Sequence, residues 1–142
     1  MTDETVRART PPPRLLVTED NLGNQLLVRA LARAHGYDVT VAGNGRQAVD
    51  AHMIRPYDLI LMDCHMPVMD GFEATRKIRE HERELKLRRV PIIALTIDTE
   101  ARDACLGADM DDFLCKPCDK VKIGEVLRRW LSAAAEHRDA RR

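Results

Sequence analysis

A parallel α/β sheet with helices on both faces is the fold this sequence predicts. Three observations point there. Five short apolar segments alternate with stretches of helical periodicity, the pattern of strand-helix repeats around one sheet. The middle segment, Leu59-Ile60-Leu61-Met62, is continuously apolar, as a strand covered on both faces must be. Polar residues suited to chemistry fall at strand ends: Glu19 and Asp20, Asp63, Thr96 and Lys116. At 142 residues the chain is long enough for one domain with one good core.

Residues 1–13 are polar and end in three prolines, which predicts an extended tail or linker. Arg14-Leu15-Leu16-Val17-Thr18 is the first strand, and the carboxylates of Glu19 and Asp20 follow it. Leu27, Ala30, Leu31 and Ala34 have the i, i+3, i+4, i+7 spacing of a helix face, and Gly36 ends that helix. Asp38–Ala42 is the second strand. Asn44-Gly45 predicts a turn, and a helix carrying Ala48, Val49 and Met53 runs towards Pro56. The third strand ends at Asp63. Asp70 and Glu73 have capping-box spacing at the head of the next helix, which passes through Ala74 and Ile78 into the charged run Glu80–Arg89, expected to be solvated. Val90–Leu95 is the fourth strand, ending at Thr96. A short polar helix over about Thr99–Leu106 leads to the fifth strand, Phe113-Leu114-Cys115, and to Lys116-Pro117. The last helix carries Ile123, Val126, Leu127, Trp130 and Leu131, and a polar, basic tail over 132–142 is expected after it.

Composition narrows the function. Lys+Arg and Asp+Glu both number 23, so net charge is zero, and neither a general nucleic-acid surface nor direct membrane contact is indicated. No apolar run approaches a bilayer span and no signal-peptide core follows Met1, so a cytoplasmic protein is expected. Four cysteines (Cys64, Cys105, Cys115 and Cys118) lack the density of a secreted scaffold and predict reduced thiols.

In a parallel sheet the strand ends share one edge, where such folds place their ligands. Three carboxylates, a hydroxyl and an ammonium would meet there. Adjacent carboxylates repel each other and suit a divalent cation such as Mg²⁺, which keeps open positions for phosphoryl oxygens. Asp63 would attack phosphorus and become an aspartyl phosphate. Mg²⁺, Lys116 and the Thr96 hydroxyl would spread the charge on the transferring group.

The segments Leu16–Asn21, Asp58–Gly71, Ile92–Thr96 and Met110–Pro117, in register and in order, resemble the receiver domain of two-component response regulators. They are most similar to receivers attached to hybrid sensor histidine kinases. The match spans about residues 14–131. The resemblance implies a flavodoxin-like (βα)5 fold, a doubly wound parallel sheet with strand order 2-1-3-4-5. It implies that Asp63 is the phosphoacceptor and that Asp20, Asp63 and the His65 backbone carbonyl hold Mg²⁺, with Glu19 acting through water. Thr96 and Phe113 would be the switch pair, and Lys116 the phosphate partner. The implied partner is a histidine kinase or histidine phosphotransfer domain, with the face of the fourth and fifth helices used for signalling or for a dimer. A phosphoacceptor of this kind turns over no metabolite, so the chain is not expected to be an enzyme in the ordinary sense. Eleven residues follow Leu131, so no attached DNA-binding domain is expected, leaving a single-domain regulator or a hybrid-kinase fragment.

Two positions depart from the family pattern. Ile97 stands where a small residue is usual and should crowd the site's rim, against the simpler expectation that it packs on a helix. Asp109 stands where glycine is common, which predicts a strained left-handed turn. Three other functions are weaker. Cys115-Lys116-Pro117-Cys118 has redox spacing, but its lysine already belongs to the phosphate site. An aspartate-nucleophile phosphatase would carry a second Asp where His65 stands. A flavin binder would need a phosphate loop in place of Glu19-Asp20.

Overall fold

The computed structural model describes residues 11–140 apart from Thr99, with side chains described through Leu131. Most of the expected N-terminal tail, residues 1–10, lies outside the described residues. Among the described residues ten elements alternate strictly: β1 (Arg14–Thr18), α1 (Leu22–Ala34), β2 (Asp38–Ala42), α2 (Gly45–Ile54), β3 (Leu59–Asp63), α3 (Gly71–Leu85), β4 (Ile92–Thr96), α4 (Arg102–Gly107), β5 (Asp112–Cys115) and α5 (Lys120–Ala140). The five strands form one parallel sheet in the order β2-β1-β3-β4-β5, as the resemblance implied. Among the described residues no helix is long and apolar enough to cross a membrane.

Strand periodicity divides the core in two. Leu15, Val17, Leu59, Leu61, Ile93 and Leu95 face one layer, where Val28 and Ala32 of α1 and Ile123, Leu127 and Leu131 of α5 cover them. Leu16, Ile60, Met62, Ile92 and Ala94 face the other, against Ala48 and Val49 of α2, Ala74 and Ile78 of α3 and Cys105 of α4. A central strand buried on both faces gains no stability from alternation, so it reads as an unbroken apolar run.

Side-chain caps set the helix starts. Asn21, Asn44 and Asp70 accept the backbone N–H of Asn24, Gln47 and Glu73 at 3.0, 2.9 and 2.8 Å. Asn44-Gly45 is thus a helix start, where the sequence suggested a turn. Gly36 takes φ 91° just past α1, the left-handed conformation that favours glycine.

The core face of α1 differs from expectation. Val28 and Ala32 are buried, with Leu31 packed beside them, while Leu27, Ala30 and Ala34 are exposed. In α2 it is His52, not Met53, that lies in the core. In α1 the error is one of phase, because an alanine- and leucine-rich helix offers two overlapping apolar stripes and only packing selects one; in α2 Ala48 and Val49 face the core as expected and only Met53 does not.

The charged run after α3's centre is not wholly solvated. Glu82 within it is 6% exposed, and Arg79, just before it, is 2% exposed. The Arg79 guanidinium pairs with Glu82 at 2.9 Å and Asp111 at 2.8 Å, and also donates to the Val90 carbonyl at 2.7 Å. Glu82 in turn accepts the Val90 N–H. This cluster fastens α3 to the starts of β4 and β5, at the sheet edge opposite the strand-end carboxylates. Asp109 has φ 74°, the left-handed turn its position predicted. Its carbonyl accepts from Arg79 Nε and Arg89 Nη2, both at 3.0 Å, so two guanidinium groups hold the strained backbone in place.

Candidate functional site

β1 and β3 lie side by side, so the residues that end them converge. One carboxylate oxygen from each of Glu19, Asp20 and Asp63 lies within 4.8 Å of the others. Glu19 is fully buried and Asp63 nearly so, while Asp20 is exposed. Lys116, delivered by β5, bridges the two buried members: its Nζ is 3.0 Å from Glu19 Oε1 and 3.0 Å from Asp63 Oδ2. Burial raises the Glu19 pKa above its ordinary value, and the neighbouring Asp63 carboxylate adds to that, against the opposing pull of Lys116. Burial works against the Lys116 ammonium, but the hydrogen bonds to Asp63 and Glu19 outweigh it and hold the pKa above the ordinary lysine value.

Backbone contacts fix the rest of the cleft. Asp63 Oδ1 accepts the His65 N–H at 3.2 Å, and the Cys64 N–H donates to the Leu95 carbonyl at 3.1 Å. The loop after Asp63 returns so closely that a Cβ on Gly71 would lie 2.1 Å from the Asp63 carbonyl oxygen. Only glycine fits that approach, which explains the Asp70-Gly71 pair. The His65 side chain is exposed and meets Phe72 edge-on with ring centroids 6.0 Å apart. Thr96, buried at the end of β4, accepts the Asp98 N–H at 3.0 Å, and its carbonyl accepts the Lys116 N–H at 2.7 Å. Phe113 is half-buried, with the Arg102 guanidinium of α4 5.9 Å from its ring centroid. Ile97 is 78% exposed, so it does not fill space against a helix.

The donor set fits a hard divalent cation. It is all oxygen, three carboxylates face one ammonium, and the Asp20 carboxylate has no hydrogen bond or ion pair among the described residues. Every strand-end residue singled out in the sequence comes to this edge. Sequence reading missed Gln25, whose amide holds the Glu19 carbonyl at 2.6 Å, and the contact between Cys64 and Cys105, which lie 3.7 Å apart. Neither leaves a local signal, because each depends on how a helix docks. Burial raises the thiol pKa of Cys118 as it does those of Cys64 and Cys105, so none of the three is reactive while enclosed.

The sequence profile described as the response regulator receiver domain matches residues 15–128. The sensor histidine kinase GacS of Pseudomonas protegens is 36% identical over 142 residues, covering 99% of this chain and 15% of that protein. The chain therefore spans only a small part of this curated relative's length. A crystal structure of the receiver domain of a Pseudomonas aeruginosa sensor histidine kinase, with magnesium coordinated in its active-site cleft, is 44% identical. It superposes with a TM-score of 0.77 over 85% of this chain and 98% of that one. The receiver domain of the Saccharomyces cerevisiae response regulator Ssk1, crystallised with the histidine phosphotransfer protein Ypd1, gives 29% identity and a TM-score of 0.80 over 84% and 89% of the two chains.

Proposed function

The chain belongs to the response regulator receiver domain family of two-component and phosphorelay signalling, and we propose that it takes a phosphoryl group from phosphohistidine onto Asp63. The observation that carries this reading is Lys116 held between Glu19 and Asp63, at 3.0 Å from each, beside the exposed Asp20.

In the transfer, Asp63 Oδ forms a bond to phosphorus as the P–N bond to the donor histidine breaks, and the imidazole leaves with the electron pair. Lys116 stays within reach of the acceptor and neutralises charge on the incoming phosphoryl oxygens. Mg²⁺, held by Asp20, Asp63 and the His65 carbonyl with Glu19 acting through water, supplies the remaining neutralisation when bound. Its presence in a relative's cleft and the oxygen donor set here both support that assignment. Thr96 turns its hydroxyl to the phosphoryl group, and Phe113 follows into the space vacated. The chain catalyses its own phosphorylation and dephosphorylation and turns over no metabolite.

The donor is a histidine kinase or a histidine phosphotransfer domain, as the Ypd1 complex suggests, and the reaction is cytoplasmic. The length of the relatives favours a role as one part of a hybrid kinase. The test is transfer from a radiolabelled phosphohistidine protein. Label should pass to this chain in the presence of Mg²⁺ and should not pass to Asp63→Asn. Undiminished labelling of that variant would overturn the assignment.

A further inference from the structure

Two thiols that the transfer chemistry does not use meet beside the acceptor. Cys64, the residue after Asp63, and Cys105, in the middle of α4, place their sulfurs 3.7 Å apart. Both are closed to solvent, at 0% and 1% exposure. Among the described residues each is the other's only side-chain hydrogen-bond partner, and no sulfur contact joins Cys115 to Cys118. The pairing suggested by sequence spacing is thus not the one the fold brings together.

We propose that Cys64 and Cys105 are a disulfide-forming site, closed by a peroxide, that ties the end of β3 to α4. A disulfide needs its sulfurs about 2.05 Å apart, so the present contact must shorten. Closing that gap falls to α4. It has six residues, and its start at Ala101 has no side-chain capping bond. A short uncapped helix opens locally at low cost. Such opening also admits hydrogen peroxide, a molecule little larger than water, to thiols that are otherwise enclosed.

The chemistry balances with one peroxide. Attack by the first sulfur forms an S–O bond, breaks the O–O bond and releases one water, leaving a sulfenic acid. The second sulfur displaces that hydroxyl, which departs with the second thiol's proton as another water. The two cysteines lose two electrons and the peroxide gains them. The site stands apart from the receiver reading, but its consequence rests on it: with α4 fixed to β3, the displacement that Thr96 and Phe113 would drive in α4 is restrained.

The experiment exposes the full chain to hydrogen peroxide, alkylates it under denaturing conditions and maps the peptides without reduction. Alkylated cysteines should fall from four to two, with the Cys64 peptide linked to the Cys105 peptide and dithiothreitol restoring all four. Cys115→Ser should keep the link and Cys105→Ser should remove it. Four alkylated thiols, a Cys115–Cys118 link, or addition of oxygen without any link would each overturn the proposal. Because the readout is on sulfur, it stands or falls independently of whether Asp63 accepts phosphate.

Discussion

Ile97 is an apolar side chain left 78% exposed immediately after Thr96, and its position suits a rim residue. A β-branched side chain there is stiff and cannot swing aside to admit a donor or an attacking water. Small displacements from in-line geometry are costly in rate. Ile97→Ala should therefore speed both acetyl phosphate labelling and dephosphorylation by about fivefold, equivalent to roughly 1 kcal/mol of barrier. Mg²⁺ affinity should not change. Labelling and decay followed by intact mass check this, and unchanged rates would assign Ile97 no part in access. His52 makes a different residue-scale prediction. Burial, with His81, Arg79 and Arg14 nearby, lowers its pKa to about 4. Its Nδ1 accepts the Tyr57 N–H at 3.1 Å, a bond that protonation would break. The unfolded chain binds that proton at about pH 6.5, so stability is complete above that pH and declines as pH falls towards 4. The loss is of the order of 3 kcal/mol. Urea unfolding at pH 7 and pH 4.5 should show this loss in the native chain and a smaller one in His52→Gln.

Elements meet through groups whose burial no local pattern announces. Arg79 carries a charge that ordinarily stays in water, yet it is 2% exposed and joins α3 to the starts of β4 and β5. Arg79→Met would leave the buried Glu82 carboxylate without its cation, with Asp111 keeping Arg89 alone, and should cost about 3–5 kcal/mol in urea unfolding. Arg89→Ala, at a half-exposed partner of the same cluster, should cost less than about 1 kcal/mol. Strands were legible because their apolar runs are short, bounded and regularly spaced. Helix phase was less so: α1 turns Val28 and Ala32 inward where Leu27 and Ala30 had equal claim. The proposed switch pair, Thr96 and Phe113, carries a further prediction. Phe113 has no hydroxyl to hold one rotamer, but packing is not its only restraint, because Arg102 lies over the ring. Beryllofluoride should shift NMR signals of Phe113 and α4, and Thr96→Ala should remove most of that shift. Equal shifts in the variant would take Thr96 out of the switch.

At the scale of the whole molecule, the parallel sheet itself assembles the site. Three strands that are far apart in sequence deliver Glu19, Asp63 and Lys116 to one edge, and the opposite edge is closed by the Arg79 cluster. The site was therefore readable from strand ends alone, since parallel pairing leaves those ends nowhere else to go. Contacts set by helix docking, such as Cys64 with Cys105, were not readable, because no periodicity encodes which helix residue meets which strand residue. The central claim is that Asp63 is the group phosphorylated at this edge. Its most direct test is to incubate the chain with acetyl phosphate and Mg²⁺ and to locate the added mass by tandem mass spectrometry. One phosphoryl group on Asp63, absent without Mg²⁺ and absent in Asp63→Asn, is the predicted result. A phosphoryl group on any other residue, or the same yield without Mg²⁺, would contradict it.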